Sequence, residues 1–260
     1  MRTLSELLAS AGRAALGIVE TAGLMALLAW RAMGTLLRVS VPLREILKQV
    51  HANGATSLPV IIIASICVGC IVAVQGMDYA QRYSAPEVYG WAAYFAACRE
   101  VGPLLLGLSL SARLGAQNAA QLAALTVTER VDAMKALGVD TTSVWVTPRL
   151  IAMPIAATVL MLWMDGISLV SATVFAWIAG GVTPWTTWAS IMRYALLSDL
   201  LLGLEKAAVY GLFAALTSTA LGLAARGGAD AVGTAVMKTA VTSLLVISAV
   251  HYALTVWTAG

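Results

Sequence analysis

Charge is what this sequence has least of. Of its 260 residues, 11% are charged and 60% hydrophobic, where soluble domains average about 25% and about 45–50%. Sixteen Lys and Arg with thirteen Asp and Glu are too few to cover a water-soluble fold of this size. Disorder is excluded by the same figures, because disordered chains are poor in apolar residues and rich in charge. A net charge of +3 provides no basic surface for nucleic acid. Three cysteines, an odd number, provide no disulfide framework. The only two histidines, His51 and His251, stand alone without metal-ligand spacing. There is no GxSxG elbow and no HExxH, so no hydrolase or zincin motif is present. Nor is there any Gly-Lys dipeptide, which excludes a GxxxxGK(S/T) phosphate loop. If the protein uses ATP, another chain must hydrolyse it. What remains is an all-α membrane protein.

Long uncharged runs are what the chain does have. About 20 apolar residues carry a helix across the hydrocarbon. Five runs qualify: residues 52–77, 88–112, 144–179, 198–225, and 231 to the end. Arg99-Glu100 interrupts the second, Arg149 and Asp165 the third, Glu205-Lys206 the fourth and Lys238 the fifth. No cleavable signal peptide is expected, since the first uncharged apolar stretch runs only over residues 21–30. In the first fifty residues, Leu4, Leu8, Ala11, Ala15, Ile18, Ala22, Met25, Ala29, Ala32 and Leu36 recur at steps of three and four. Glu6, Arg13, Glu20, Arg31 and Arg38 fall on the opposite face. That pattern predicts an amphipathic helix lying in the membrane interface, or one packed against the bundle.

Lys and Arg placement orients the spans. Six basic residues precede the first span, and Arg113, Arg130, Lys135 and Arg149 surround the connection between the second and third. Arg226 lies between the fourth and fifth, and the opposite loops hold Arg82 and Arg193. A cytoplasmic N-terminus is expected. The connection after the second span reads as a short helix over about residues 126–138. Thr126 and Glu129 fit a capping box, and Gly138 fits the left-handed residue past a helix end. Such a two-faced helix suits docking to a soluble partner, or is a connector resting on the membrane.

Charges inside a span are expensive, about 2.5–3.5 kcal/mol each at the helix centre. Arg99 and Glu100 therefore need partners or a wet cavity. Glu205 and Lys206 on the fourth span offer complementary charges, which predicts an ion network of Arg99, Glu100, Glu205 and Lys206. Its role is either a clasp between helices or a substrate contact. Pro103 weakens the helical ladder nearby. Two rows of small residues, Ala112-Ala116-Ala120-Ala124 and Gly107-Ser111-Gly115, predict close helix approach. The Cys67-x-x-Cys70 pair lies in an apolar span and reads as small packing residues.

Several segments resemble the MlaE/YrbE permeases. They are residues 43–59, Ala73-Val-Gln-Gly76, Arg99-Glu-Val-Gly-Pro103, Ser111-Ala-Arg-Leu-Gly115, residues 128–140 and Pro148-Arg149. Residues 227–233, 240–243 and 254–255 fit as well. The resemblance divides the chain into N-terminal interfacial or elbow helices over residues 1–50 and a permease domain over 51–260. It implies the membrane subunit of an ABC transporter in the bacterial inner membrane, moving phospholipid or a related lipid between that membrane and an MCE protein. The expected partners are a second copy of the chain, ABC ATPase subunits that bind ATP and Mg, a hexameric MCE protein, and a STAS-domain protein. Glu129, Arg130, Asp132, Ala133, Lys135, Leu137 and Gly138 would form the coupling helix that seats in the ATPase. Gln75, Tyr79, Tyr83, Arg99, Glu100 and Leu104 would border the lipid cavity at the dimer interface. No cofactor, metal or catalytic residue is expected in this chain. Two positions depart from the family pattern: Gln121 stands where a glutamate is usual, and His251 where an aspartate is frequent. A secondary transporter or channel using Arg99, Glu100 and Lys206 is the alternative from another class, although no internal repeat supports it. A lipid-modifying enzyme lacks any nucleophile–base constellation.

Overall fold

A computed structural model describes residues 4–38, 43–82 and 86–259, and they form helices joined by short turns, with no strand among them. In chain order the helices are α1 (Leu4–Arg38), α2 (Leu43–Arg82), α3 (Tyr89–Val127), α4 (Arg130–Ala136), α5 (Thr142–Gly180), α6 (Pro184–Tyr194), α7 (Leu197–Leu223) and α8 (Ala229–Ala259). Five of them, α2, α3, α5, α7 and α8, are long and apolar enough to cross a membrane. The five expected spans are therefore present, but longer than the uncharged runs. A run without charge marks what hydrocarbon tolerates, whereas backbone hydrogen bonding continues past the membrane surface. Thus α2 begins at Leu43, with Arg44, Glu45 and Lys48 in its first turns, and passes residue 50 without a break. Similarly, α3 continues to Val127, fifteen residues beyond the expected end of that span.

The core is built where α2 lies along α5 and where α7 packs on α3, α5 and α8. Contact between α2 and α5 is so close that a Cβ on Gly69 would collide with the Ser171 hydroxyl and the Ser168 carbonyl. Fully buried side chains include Leu106, Met153, Leu160, Met161, Tyr210 and Ile247. On α3 the small row Gly107-Ser111-Gly115 is buried and continues through Ala119 and Ala123. The other expected row is not a packing face: Ala112 and Ala124 are exposed, Ala116 and Ala120 half-buried. Both rows have the same spacing, and only the positions of α7 and α8 distinguish them.

Helix α1 rests on α7 and on the start of α5. Of the expected stripe, Met25 and Ala32 are buried there, beside Leu28, and Ala29 is half-buried, but Ala22 is exposed; Glu20 and Arg31 are exposed as the pattern requires. The outward face also carries Trp30, 81% exposed, with Leu27 and Met33. An apolar outward face suits lipid better than water. The side chains of Leu4, Leu8, Ala11, Ala15, Ile18 and Leu36 in the expected stripe, and of Glu6, Arg13 and Arg38 opposite, lie outside the described residues, as does Tyr83.

One helix was not anticipated. Between α5 and α7 runs α6, started by Thr183, whose hydroxyl accepts the Thr186 N–H at 3.3 Å, and by Pro184 in the first turn. Its Ser190 hydroxyl accepts the Trp91 N–H at 3.1 Å, tying it to the start of α3. Trp185, Met192 and Tyr194 face outward.

Candidate functional site

Two groups of polar residues lie near opposite ends of the bundle. The first is an ion network among α3, α7 and α8. Its origin is a π-helical stretch in α3, Ala96–Val101, which holds both Arg99 and Glu100. Such bulges shift the register of one helix face and often occur at functional sites. Pro103 follows, and without an N–H it cannot bond the carbonyl four residues back, that of Arg99. The Lys206 ammonium from α7 donates to that carbonyl instead, at 3.0 Å. Lys206 also donates to Glu100 Oε1 at 2.9 Å and to Thr255 Oγ1 at 3.1 Å. An ammonium has three protons, and all three are used. The residue is 2% exposed.

Glu100 is held equally well. Its second oxygen accepts the Thr255 hydroxyl at 2.9 Å. His251 Nε2 lies 3.6 Å from the same oxygen, and His251 Nδ1 is 2.8 Å from the Tyr210 hydroxyl. A tautomer in which Tyr210 donates to Nδ1 leaves Nε2–H facing the carboxylate. Arg99 donates to Asp199 Oδ1 at 2.9 Å and to the Thr258 carbonyl at 3.0 Å. Its guanidinium also lies over the Phe95 ring, 5.1 Å from the centroid. The helices meet here because α7 has glycine at 203: a Cβ there would strike the Cys98 carbonyl.

The expected network therefore exists with one member exchanged. Arg99, Glu100 and Lys206 are joined, but Glu205 is exposed and forms no ion pair among the described residues. Asp199 takes its place. The reason is helical geometry: Glu205 points about 100° from Lys206, whereas Asp199, seven residues back, lies on the same face. The same spacing joins His251, Thr255 and Thr258 on α8. Neither the Asp199–Lys206 pair nor the His251, Thr255, Thr258 triplet is among the sequence expectations, although helical spacing was the available signal. Gln75 and Tyr79 are exposed on α2, and Leu104 is half-buried on α3; none bonds to the network. Asp165 of α5, 3% exposed, lies near the Cys98 thiol, with neither carboxylate oxygen in a well-formed hydrogen bond and no cation beside it among the described residues.

The second group surrounds α4. This helix has two turns, Arg130–Ala136, rather than the three expected. Thr126 and Glu129 do not form a capping box. Thr126 still belongs to α3, where its hydroxyl bonds back to the Leu122 carbonyl at 2.9 Å. Glu129 is itself the residue before α4 and is left-handed, with φ 58°, the one non-glycine residue in that region among those described. The chain must reverse between α3 and α4, and that turn overrides the side-chain cap. Gly138 behaves as expected: at φ 75° it closes α4, with its N–H bonded to the Lys135 carbonyl and that of Val139 to Met134, both at 3.0 Å. Val131 is buried, and Met134 Sδ lies 3.4 Å from Trp145 Nε1. Arg130, Ala133, Lys135 and Leu137 are exposed, Leu137 to 81%, and Asp132 pairs with Lys135 at 3.0 Å.

Arg149 ties this elbow together. It is 5% exposed, donating from Nε to Asn118 Oδ1 at 3.0 Å and from Nη2 to Gln121 Oε1 at 3.1 Å, both on α3. Nη1 donates to the Trp145 carbonyl at 2.8 Å. The segments entering and leaving α4 are thus clamped by one guanidinium, and no carboxylate among the described residues forms an ion pair with it.

A bundle of five membrane-crossing helices, with an ion network between three of them and a short exposed helix projecting from one end, defines a polytopic permease-like protein. Residues 46–257 match the family described as Permease MlaE. The chain belongs to that family. It is 30% identical to a probable ABC transporter permease protein of Rickettsia typhi, over 94% of each chain. It is 24% identical to the intermembrane phospholipid transport system permease protein MlaE of Haemophilus influenzae, over 81% of each. A chloroplastic Arabidopsis thaliana relative, the protein trigalactosyldiacylglycerol 1, is 26% identical over 81% of this chain and 60% of its own. The protein is an ABC transporter permease that crosses the membrane several times.

Proposed function

We propose that this permease moves phospholipid or a related lipid between the bacterial inner membrane and an MCE protein, powered by a separate ATPase. The match of residues 46–257 to the permease family carries this reading, together with the phospholipid transport named for the Haemophilus relative. The geometry supports it. Helix α4 is short, exposed and closed by a glycine turn, which suits the part seated in an ATPase, with Glu129, Arg130, Asp132, Ala133, Lys135, Leu137 and Gly138 forming the contact. Val131 and the Arg149 clamp couple its movement to α3 and α5.

The N-terminus and α4 are cytoplasmic in this reading, because Arg113, Arg130, Lys135, Arg149 and Arg226 cluster on that side. The permease performs no chemistry itself; ATP and Mg belong to the ATPase. The complex contains a second permease copy, two ATPase subunits and an MCE hexamer, with a STAS-domain protein on the ATPases. The exposed face of α8, carrying Met237, Val241, Leu245 and Tyr252, supports contact with the second copy. Gln75, Tyr79, Tyr83, Arg99, Glu100 and Leu104 border the lipid cavity between copies. Residues 1–50 hold the permease domain in the interface.

Co-purification tests the reading. The ATPase is expected to remain bound to the wild-type permease and to be lost from Asp132→Lys, while transfer of lipid from vesicles requires ATP. Lipid transfer by the isolated chain with no ATPase present would overturn it.

A further inference from the structure

Glu205 is the carboxylate left out of the ion network. Within that network two cations, Arg99 and Lys206, balance two carboxylates, Glu100 and Asp199. Glu205 lies eight residues into α7, about 12 Å along its axis, and no cation meets it among the described residues. An unpaired carboxylate at that depth in a membrane span is costly and marks a functional position. It lines a pocket of about 200 Å³ between α7 and α8, with Leu202, Lys206, Leu254, Trp257 and Thr258. Lys206 presents only its stem there, since its ammonium is occupied by three acceptors. Trp257 is 77% exposed. The pocket therefore offers one free negative charge, one open indole ring and two leucines. A carboxylate beside an indole is the arrangement that attracts an ammonium, through Coulomb attraction and through the ring face.

We propose that Glu205 and Trp257 form a headgroup site that selects lipids bearing an ammonium over anionic lipids. The proposal rests on the lipid-permease reading above. The ammonium sits between the carboxylate and the indole, and Leu202 and Leu254 receive the first part of an acyl chain. A lipid whose headgroup carries only negative charge is repelled by Glu205.

The test uses the full-length permease reconstituted in vesicles of equal phosphatidylethanolamine and phosphatidylglycerol, then purified, with retained lipid counted by mass spectrometry. Wild type is expected to retain phosphatidylethanolamine preferentially, about threefold to thirtyfold, the range that a cation–ring contact provides. Glu205→Gln and Trp257→Leu are each expected to bring the ratio towards one by lowering retained phosphatidylethanolamine, and Glu205→Asp to keep most of the preference. Both side chains are exposed, so these variants fold. Wild type retaining the two lipids in vesicle proportion overturns the headgroup site and leaves the lipid reading standing; this is also the outcome expected if Glu205 instead meets a basic residue of another chain. An undiminished preference in Glu205→Gln overturns the site as well. Retention of no lipid at all overturns both.

Discussion

Arg99 and Arg149 are both drawn into the bundle, and their partners differ in kind. Arg99 meets the Asp199 carboxylate at 2.9 Å, within a network whose charges cancel. Among the described residues Arg149 bonds to neutral oxygens, from Asn118, Gln121 and the Trp145 backbone. The difference follows from their surroundings. Arg99 lies inside a span where an uncancelled charge is expensive. Arg149 begins a span beside the exposed α4, close enough to an end of the bundle for its charge to be tolerated. The two departures from the family pattern fall one in each region. His251, near Glu100, puts a ring where a second carboxylate would crowd the first, and Gln121 removes the carboxylate that would have answered Arg149. Both changes take away negative charge, yet one leaves directly paired charges and the other a clamp of neutral oxygens, which the Glu45 carboxylate reaches only across a longer distance.

Substitution should expose that contrast. Lys206→Met leaves Glu100 without its ammonium and is expected to cost about 3–5 kcal/mol, as breaking a buried ion pair does. The double variant Lys206→Met/Glu100→Gln should recover most of that loss; denaturant unfolding in detergent measures both. Arg149→Met leaves only amide and carbonyl oxygens unbonded and should cost less, about 1–3 kcal/mol in the same assay. Equal losses in the two regions would break the distinction. Gly138→Ala forces a side chain into the left-handed region and should loosen the end of α4 by about 1–2 kcal/mol, read as faster hydrogen exchange over residues 130–139. Smallest of all, Gln121→Glu gives Arg149 a charged acceptor and is expected to stabilise by up to about 1 kcal/mol, measured as a raised unfolding midpoint.

The spans were legible because uncharged runs of sufficient length are a one-dimensional signal. Their ends were not, because α2 and α3 continue as helix through residues that hydrocarbon would reject. Helix α6 was overlooked despite its Thr183-Pro184 start, since eleven residues with Arg193 among them do not resemble a span. In the ion network, the cost of charge in a membrane points to Arg99, Glu100 and Lys206, which the structure brings together. Glu205 enters the expected network as a charge next to Lys206, while Asp199, seven residues before Lys206, is absent from it. Glu129 shows the same limit in the backbone: the Thr126–Glu129 spacing satisfies a capping box, but the reversal between α3 and α4 uses that glutamate in a left-handed turn.

Composition determined that this protein belongs in a membrane, and its unbroken apolar runs of about 20 residues determined that it crosses as helices, since barrel strands are shorter and alternate. Helical periodicity determined which residues share a face, as Asp199 shares one with Lys206. Only the tertiary structure decided which faces meet: that the Gly107-Ser111-Gly115 row is the contact, that the Arg99 carbonyl goes to Lys206, and that Glu205 is left open to a pocket. Spacing along one helix sets relative angle, and it contains nothing about the neighbour that lies at that angle.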